Sequence, residues 1–326
     1  MAGKIKRSTF ILCLSLALNL LLFTFWWNRS RQVKDAFQSN ELPMPPRKSP
    51  AAQEKLKNAR LTNVIIPLHP RQEGTLIRSF RLWNRFLPCD VKNTLSHSGP
   101  GTNVTLTLFI SSKKDTALEQ RLLKGFHQIS KAARSCFREV NVRHASLTGD
   151  YNNYLTGSRK MFEQMLNGSL NLGNASYALY MEPDLIPVRT GWLSAIDSHT
   201  RYPNLNFWLK GSVFRGPTSA YRNRAIYNLF HINGNAIYNL DDEDFRHFYF
   251  GQVRPYIEAH YTDGAYDTDL YKFLLDPRNY HWARKWAHKF QFTDAIRNMW
   301  HANYSLAQLM KESETVVLVH GGTLNL

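Results

Sequence analysis

The feature that most constrains this chain is a short apolar run, Ala178-Leu179-Tyr180-Met181, that ends abruptly in Glu182-Pro183-Asp184. Four apolar residues bounded by a turn signal predict a buried strand, and Pro183, which has no backbone N–H, forces that strand to stop. Two carboxylates are thereby delivered to a strand's carboxyl edge, where open α/β sheets place their ligand crevices. Two acids on a stiff turn have the chemistry to hold a hard cation. An ordinary acidic turn would read the same from these residues alone, so the rest of the chain must decide.

The surrounding pattern is α/β. Val64 to Leu68 begins the ordered region, and an amphipathic helix is expected around Leu76 to Phe86. Val104 to Ile110 reads as a strand; Ala117 to Ala133 then has helical spacing, with Leu118, Leu122, Leu123, Phe126 and Ile129 on one side. Val140 to Leu147 predicts another strand and Ser158 to Leu166 another helix. This succession predicts right-handed crossovers and a mainly parallel sheet. It is a nucleotide-binding type of architecture without the Gly-x-Gly-x-x-Gly turn or the Walker lysine loop. A bound divalent cation, magnesium or manganese, is the alternative means of handling a diphosphate, and Glu182 and Asp184 could supply its site. Near the carboxyl terminus Thr315-Val-Val-Leu-Val319 has a buried-strand pattern and stops in His320-Gly321-Gly322. His320 could reach the same metal, or it could be a hydrogen-bonded core histidine; the glycines after it would let a ligand approach the backbone.

Charge and the amino terminus bear on compartment and partners. A formal net charge of +16 attracts anions. The basic residues are scattered, and no zinc-finger spacing or RNA-recognition signature accompanies them, which argues against nucleic acid. Nucleotide diphosphates, acidic glycans and membrane surfaces remain. Ser8 to Trp27 is a run of 20 residues interrupted by small hydroxyl residues and Asn19. As a helix it is roughly 30 Å long, enough to cross a bilayer. It ends in Phe25-Trp26-Trp27, unlike the small-residue end of a cleaved signal peptide. The expected organisation is a cytoplasmic tail (1–7), a transmembrane signal anchor (8–27), a polar, proline-containing stem (28–60) and a lumenal domain (61–326). Sequons at Asn28, Asn103, Asn167, Asn174 and Asn303 fit a glycosylated lumenal domain. Cys89 and Cys136 could form one disulfide or remain two buried thiols.

In these features together the chain resembles a Golgi glycosyltransferase of the GT-A fold, over roughly residues 103–326. Tyr180-Met-Glu-Pro-Asp-Leu-Ile-Pro187 followed by Gly191-Trp-Leu193, the stretch Phe207 to Arg215 and the stretch His231 to Tyr238 also look like a group of eukaryotic nucleotide-diphospho-sugar transferase domains. The resemblance implies a Rossmann-related mixed sheet flanked by helices, a nucleotide-sugar donor and a divalent cation. Asp184 aligns with the acid that contacts the metal, Glu182 with the position that contacts ribose or a metal-bound water, and His320 with a late metal-binding histidine. Glutamate and an intervening proline depart from the commonest acid-x-acid motif. By the same resemblance Arg159 could contact the diphosphate, although a solvated helix-end arginine reads the same.

Lys210-Gly211-Ser212 and Asn233-Gly234-Asn235 break apolar segments and expose groups that could hydrogen-bond a sugar, the first on the donor side and the second on the acceptor side. Gly321 joins the donor set. Asp269, with Asp267 as the alternative, falls where inverting GT-A enzymes carry the acid that takes the acceptor proton; Asp267 also reads as a helix cap. Asp241 to Asp244 reads as a solvated helix start, and Trp282 and Trp286, at helical spacing, as core. The expected activity is metal-assisted transfer of a sugar to a lumenal glycan or glycoprotein, the positive charge suiting an anionic donor and an anionic glycan acceptor. A catalytically silent glycan-binding protein of the same fold is the second expectation, and a hydrolase the third.

Overall fold

The computed structural model describes residues 59–90, 103–173, 175–201, 207–217, 219, 226–262 and 264–325. These elements all belong to one unit, Glu54–Leu326. The apolar run Ser8 to Trp27, the tail, nearly all of the stem, Asn28 and Asn174 lie outside the described residues. Among those described, no helix is long and apolar enough to cross a membrane.

Twelve strands are described: β1 (Leu61–Leu68), β2 (Thr105–Ile110), β3 (Glu139–His144), β4 (Tyr177–Tyr180), β5 (Leu185–Pro187), β6 (Leu209–Gly211), β7 (Ala236–Asn239), β8 (Phe290–Phe292), β9 (Ile296–Asn298), β10 (Asn303–Ser305), β11 (Leu318–His320) and β12 (Thr323–Asn325). Seven of them make the central sheet, in the order β3-β2-β1-β4-β7-β6-β8. β3, β2, β1 and β4 run parallel; β7 is antiparallel to both β4 and β6, and β8 runs parallel to β6. The sheet is therefore mixed and mostly parallel. Every residue of β2 is buried, the mark of a strand covered on both faces.

The period of two along β1 sorts its side chains into two cores. Val64 and Ile66 pack with Leu76, Phe80 and Trp83 from the helix Glu73–Arg85 and with Leu118 and Leu122 from the helix Thr116–His127. Ile65 faces the other way, into a core shared with Phe162 of the helix Tyr154–Leu166 and Tyr266 of the helix Tyr266–Leu275. Phe162 and Tyr266 stack with centroids 4.1 Å apart, which ties these two helices together beneath the carboxyl edge of the sheet.

Several boundaries differ from the periodic pattern, each for a local reason. The helix expected to reach Ala133 ends at His127, because Ser130 caps a separate turn, Lys131–Arg134, by accepting from the Ala133 N–H. The helix before β4 begins at Tyr154 instead of Ser158, since Asn153 Oδ1 accepts from Thr156 N–H at 2.9 Å. β3 stops at His144, and Ser146 is left-handed at φ 56°. Asp242 caps the helix Glu243–Phe248, and Trp282 and Trp286 pack against the second core.

Cys89 and Cys136 are both fully buried and bonded to each other, with Cα atoms 5.6 Å apart. The bond ties the end of the Glu73–Arg85 segment to the start of β3 across a sequence separation of 47. Replacing both cysteines by alanine is expected to lower unfolding free energy by about 2–4 kcal/mol. Urea denaturation checks this, and an unchanged midpoint would show that the tie contributes nothing.

Candidate active site

β4 is continued by Met181, whose N–H donates to the Ile65 carbonyl at 2.8 Å, so Glu182 emerges at the carboxyl edge of the sheet. A turn closed by the Leu185 N–H on the Glu182 carbonyl at 2.9 Å then carries Asp184 round and starts β5. β5 does not continue the central sheet. It pairs antiparallel with β11, placing Leu185 opposite His320, and β11 runs parallel to β9, placing His320 opposite Asn298. This small sheet brings the end of the chain back over the Glu-Pro-Asp turn.

Glu182, Asp184 and His320 consequently converge, each offering a ligand atom within 4.8 Å of the others. His320 Nε2 lies 3.2 Å from Glu182 Oε2 and 3.4 Å from Asp184 Oδ2, while Nδ1 lies 3.3 Å from Asn298 Oδ1. An amide oxygen behind Nδ1 makes that nitrogen the donor and aims Nε2 at the carboxylates, the usual way a metal-ligating imidazole is oriented. Burial alone would lower the His320 pKa, but hydrogen bonds and charge from Asp184 and Glu182 outweigh it and raise it to about 10. Burial pushes Asp184 up; His320 overcomes that and leaves the carboxyl below its usual value. Two carboxylates and one imidazole are a donor set that fits a manganese or magnesium ion whose remaining positions go to phosphate and water.

The Asn233-Gly234-Asn235 turn holds this cluster from the other side. Asn235 is fully buried: its Oδ1 accepts the Glu182 N–H at 2.7 Å and its Nδ2 donates to Glu182 Oε2 at 2.8 Å. Asn233 Oδ1 in turn accepts from the backbone N–H and the Nδ2 of Asn235. The Gly234 N–H donates to Asp267 Oδ2 at 2.9 Å, and a Cβ at this position would come within 2.3 Å of the Tyr266 hydroxyl. Asp267 also accepts the Thr268 N–H at 2.8 Å and faces His231 Nε2 at 3.6 Å. Burial pushes the Asp267 carboxyl up; His231 pulls it the other way and Glu182 adds to the push.

Two cavities meet along this line. One, of about 490 Å³, lies over the carboxyl ends of β1 and β2 and is bordered by His69, Ser111 and Tyr180. The other, of about 380 Å³, is bordered by Asp184, His231, Asn233, Asp267, Trp300 and His320. Glu182, Gln72, Tyr154 and Ser158 border both. In the first, Ser111 Oγ and the Tyr180 hydroxyl are buried without a hydrogen-bond partner among the described residues, the condition of polar groups that a ligand completes.

The other residues singled out in the sequence fall into supporting positions. Asp269 is fully buried, with Arg254 at 3.1 Å and Lys272 at 2.8 Å, and borders neither cavity. The cap of its helix is Ala265, so Asp267 sits inside the first turn and is not the cap. Arg159 is buried in the second turn of its helix, 3.7 Å from Glu163, in the same ionic layer as Arg254. Lys210 Nζ lies 5.2 Å over the Phe207 ring. A Cβ on Gly211 would come within 2.6 Å of Ile232, and the Ser212 carbonyl accepts the Asn233 N–H at 3.0 Å, so both residues brace the Asn-Gly-Asn turn. Gly321 is left-handed at φ 65° and turns the chain immediately after His320. Asn103, Asn167 and Asn303 are exposed. Asn298 and Trp300 were not foreseen, and His231 entered only as the first residue of the stretch His231 to Tyr238, without a role; the pairing of β9 with β11 and the Asn-Gly-Asn turn bring them in.

No protein-family model matches the chain, and no curated protein matches it. Among solved structures it is similar to the galactosyltransferase LgtC in complex with donor and acceptor sugar analogs, at 11% identity and a TM-score of 0.45, over 79% of this chain and 86% of that one. It is similar also to mouse xyloside xylosyltransferase 1 in its apo form, at 10% identity and a TM-score of 0.45, over 80% of this chain and 97% of that one. A third likeness is to core-mannan synthase A from Aspergillus fumigatus in a form with Mn and GDP, at 12% identity and a TM-score of 0.41, over 79% of this chain and 80% of that one.

The raised pKa of His320 gives the metal-free protein a definite pH dependence. Its folded pKa lies above the ordinary 6.5, so the ion cluster's stabilisation is fully present below pH 6.5 and is lost as pH rises through about 10. Urea denaturation in EDTA should show the parent losing this advantage over a His320→Gln variant between those limits. A constant difference between the two would contradict the protonated cluster.

Proposed function

We propose that this chain is a glycosyltransferase that moves a sugar from a nucleotide-diphosphate donor to a hydroxyl of a glycan or glycoprotein, assisted by a divalent cation, manganese being the best fit. The observation that carries this reading is the meeting of Glu182, Asp184 and His320 at the seam between two cavities. A nucleotide fits the cavity over β1 and β2, where Ser111 and Tyr180 wait for partners, and the transferred sugar and acceptor fit the other. When bound by Glu182, Asp184 and His320, the cation supplies charge neutralisation for the diphosphate leaving group.

The chain's own residues account for the rest. Asn235 fixes Glu182 by both its backbone and its carboxylate, so the turn is set before any ligand arrives. Asp267 is placed to accept the proton of the acceptor hydroxyl: it borders the sugar cavity, two backbone N–H groups hold its carboxylate, and burial makes it a stronger base than an exposed aspartate. Asp269 has a different task, neutralising Arg254 and Lys272 in the interior. The apolar run Ser8 to Trp27, the exposed sequons and the buried disulfide support a type II protein anchored in the Golgi membrane with its catalytic domain in the lumen.

A panel of nucleotide sugars with and without manganese, scored for released nucleotide, tests the reading. Release should require the metal and vanish in Asp184→Ala. Asp267→Asn should lower kcat by about 10²–10⁴-fold with nucleotide binding retained. Asp269→Asn should act on folding instead, costing about 3–5 kcal/mol because it strands buried cations. Metal-independent release, or equal kinetic effects from the two asparagine variants, would overturn the assignment.

A further inference from the structure

The cavity on the Asp267 side has two features that holding a metal and a diphosphate does not require. It is bordered by three carboxylates, Glu182, Asp184 and Asp267, and two histidines, His231 and His320, and among the described residues around it there is no lysine or arginine, although the chain carries +16 overall. Its rim also carries Trp300, a residue 43% exposed.

A single exposed tryptophan is ordinary on a protein surface. Trp300 differs in how firmly it is held. Its backbone N–H donates to Asn298 Oδ1 at 3.3 Å, the same oxygen that faces His320 Nδ1. His301, in the left-handed region at φ 63°, lays its imidazole against the indole with centroids 3.8 Å apart. A Cβ on Gly216 would come within 2.3 Å of the Trp300 carbonyl oxygen, and one on Gly321 within 3.1 Å of the indole Cδ1, so glycine at both positions permits this close packing. Asn298, which faces His320, thus holds the backbone of Trp300, while His301 and the chain at Gly321 pack against the ring itself. An aromatic surface that is already ordered loses little entropy when it is used.

A pyranose ring presents partly positive C–H groups on one face and hydroxyls around its edge. The face complements the negative face of an indole, and the hydroxyls complement carboxylates and the amides of Asn228, Asn233 and Asn298, which border the same cavity. With His320 neutral as a metal ligand, a ring bearing a carboxylate or sulfate would meet three carboxylates at short range. A divalent cation would offset two of those charges, and the donor's diphosphate would bring the negative charge back. We infer that Trp300 is the platform on which the acceptor sugar stacks, and that this cavity takes a neutral saccharide ring and rejects an acidic one. This rests on the glycosyltransferase reading and names the acceptor class for it. The anionic acceptor suggested by net charge alone does not suit the cavity that would hold it.

The test uses the full-length chain with manganese, the donor found in the nucleotide-sugar panel, and paired acceptors: a neutral hexoside and the matching hexuronide. The hexuronide should show kcat/KM at least about tenfold lower at low salt, with the gap narrowing as salt is raised. Trp300→Ala should raise the KM for the neutral acceptor about tenfold while moving the donor KM less than twofold, and Trp300→Phe should restore most of the loss. A fluorescence titration with the neutral hexoside gives a readout independent of turnover, since the parent should respond and Trp300→Ala should not. Equal use of the hexuronide, an unchanged acceptor KM, an equal rise in donor KM, or an unaltered titration in Trp300→Ala would overturn the proposal. If no donor is turned over but the hexoside still binds through Trp300, the transferase reading fails and the platform stands.

Discussion

The site depends on the pairing of β5 with β11. β5 begins one residue after Asp184, and β11 ends on His320, so an antiparallel register that puts Leu185 opposite His320 leaves the histidine nowhere to go but over the Glu-Pro-Asp turn. Val188, Val316 and Val319 pack with Met299, Tyr304 and Leu309 in a small core behind this sheet. That packing, with Leu185 and Leu318 in the main core on the other face, sets the register, because a slip of one residue would exchange Leu318 and Val319 between the two cores and turn the histidine away. Pro183 contributes by ending β4, so that the two acids project from the edge instead of pairing within the sheet.

Around this point the acids divide their work by position on a helix. Asp267 and Asp269 are two residues apart, a rotation of about 200°. One faces the cavity, and the other faces an interior layer with Glu163, Arg254 and Lys272. The buried ions are tolerable because they are mutually paired, and pairing anchors the helix whose first turn presents Asp267. The Asn-Gly-Asn turn then joins the two halves: Asn235 holds Glu182, and Gly234 holds Asp267. The Glu182 and Asp267 carboxylates are therefore positioned by one short segment.

Much of this was legible in the residues. The burial of β2, the stop of β4 at Glu182 and the end of β11 at His320 follow from short β-rich runs bounded by proline, glycine or polar residues. The Asn-Gly-Asn turn stood out because it interrupts an apolar segment. What could not be read was which partners these groups meet. Asn235 and Glu182 are 53 residues apart, and Asn298 and His320 are 22 apart, so their contacts come from strand order alone. Asp267 and Asp269 lie in one short motif and differ in charge environment, which no local pattern encodes; reading Asp267 as a helix cap favoured Asp269, whereas Asp267 borders a cavity and Asp269 is enclosed in the interior. The resemblance implied a diphosphate contact for Arg159, at the opening of a helix expected to start near Ser158, and a solvated helix-end arginine was the other reading. Asn153 starts that helix at Tyr154 and carries Arg159 into the buried ionic layer.

The central claim is that Glu182, Asp184 and His320 form one cation site at the seam of two cavities. Anomalous diffraction from crystals of the chain grown with manganese and a nucleoside diphosphate tests it most directly. The account predicts one manganese peak within coordination distance of all three side chains, with the nucleotide running into the cavity over β1 and β2. A manganese peak elsewhere, or nucleotide bound with no metal between these residues, would contradict it.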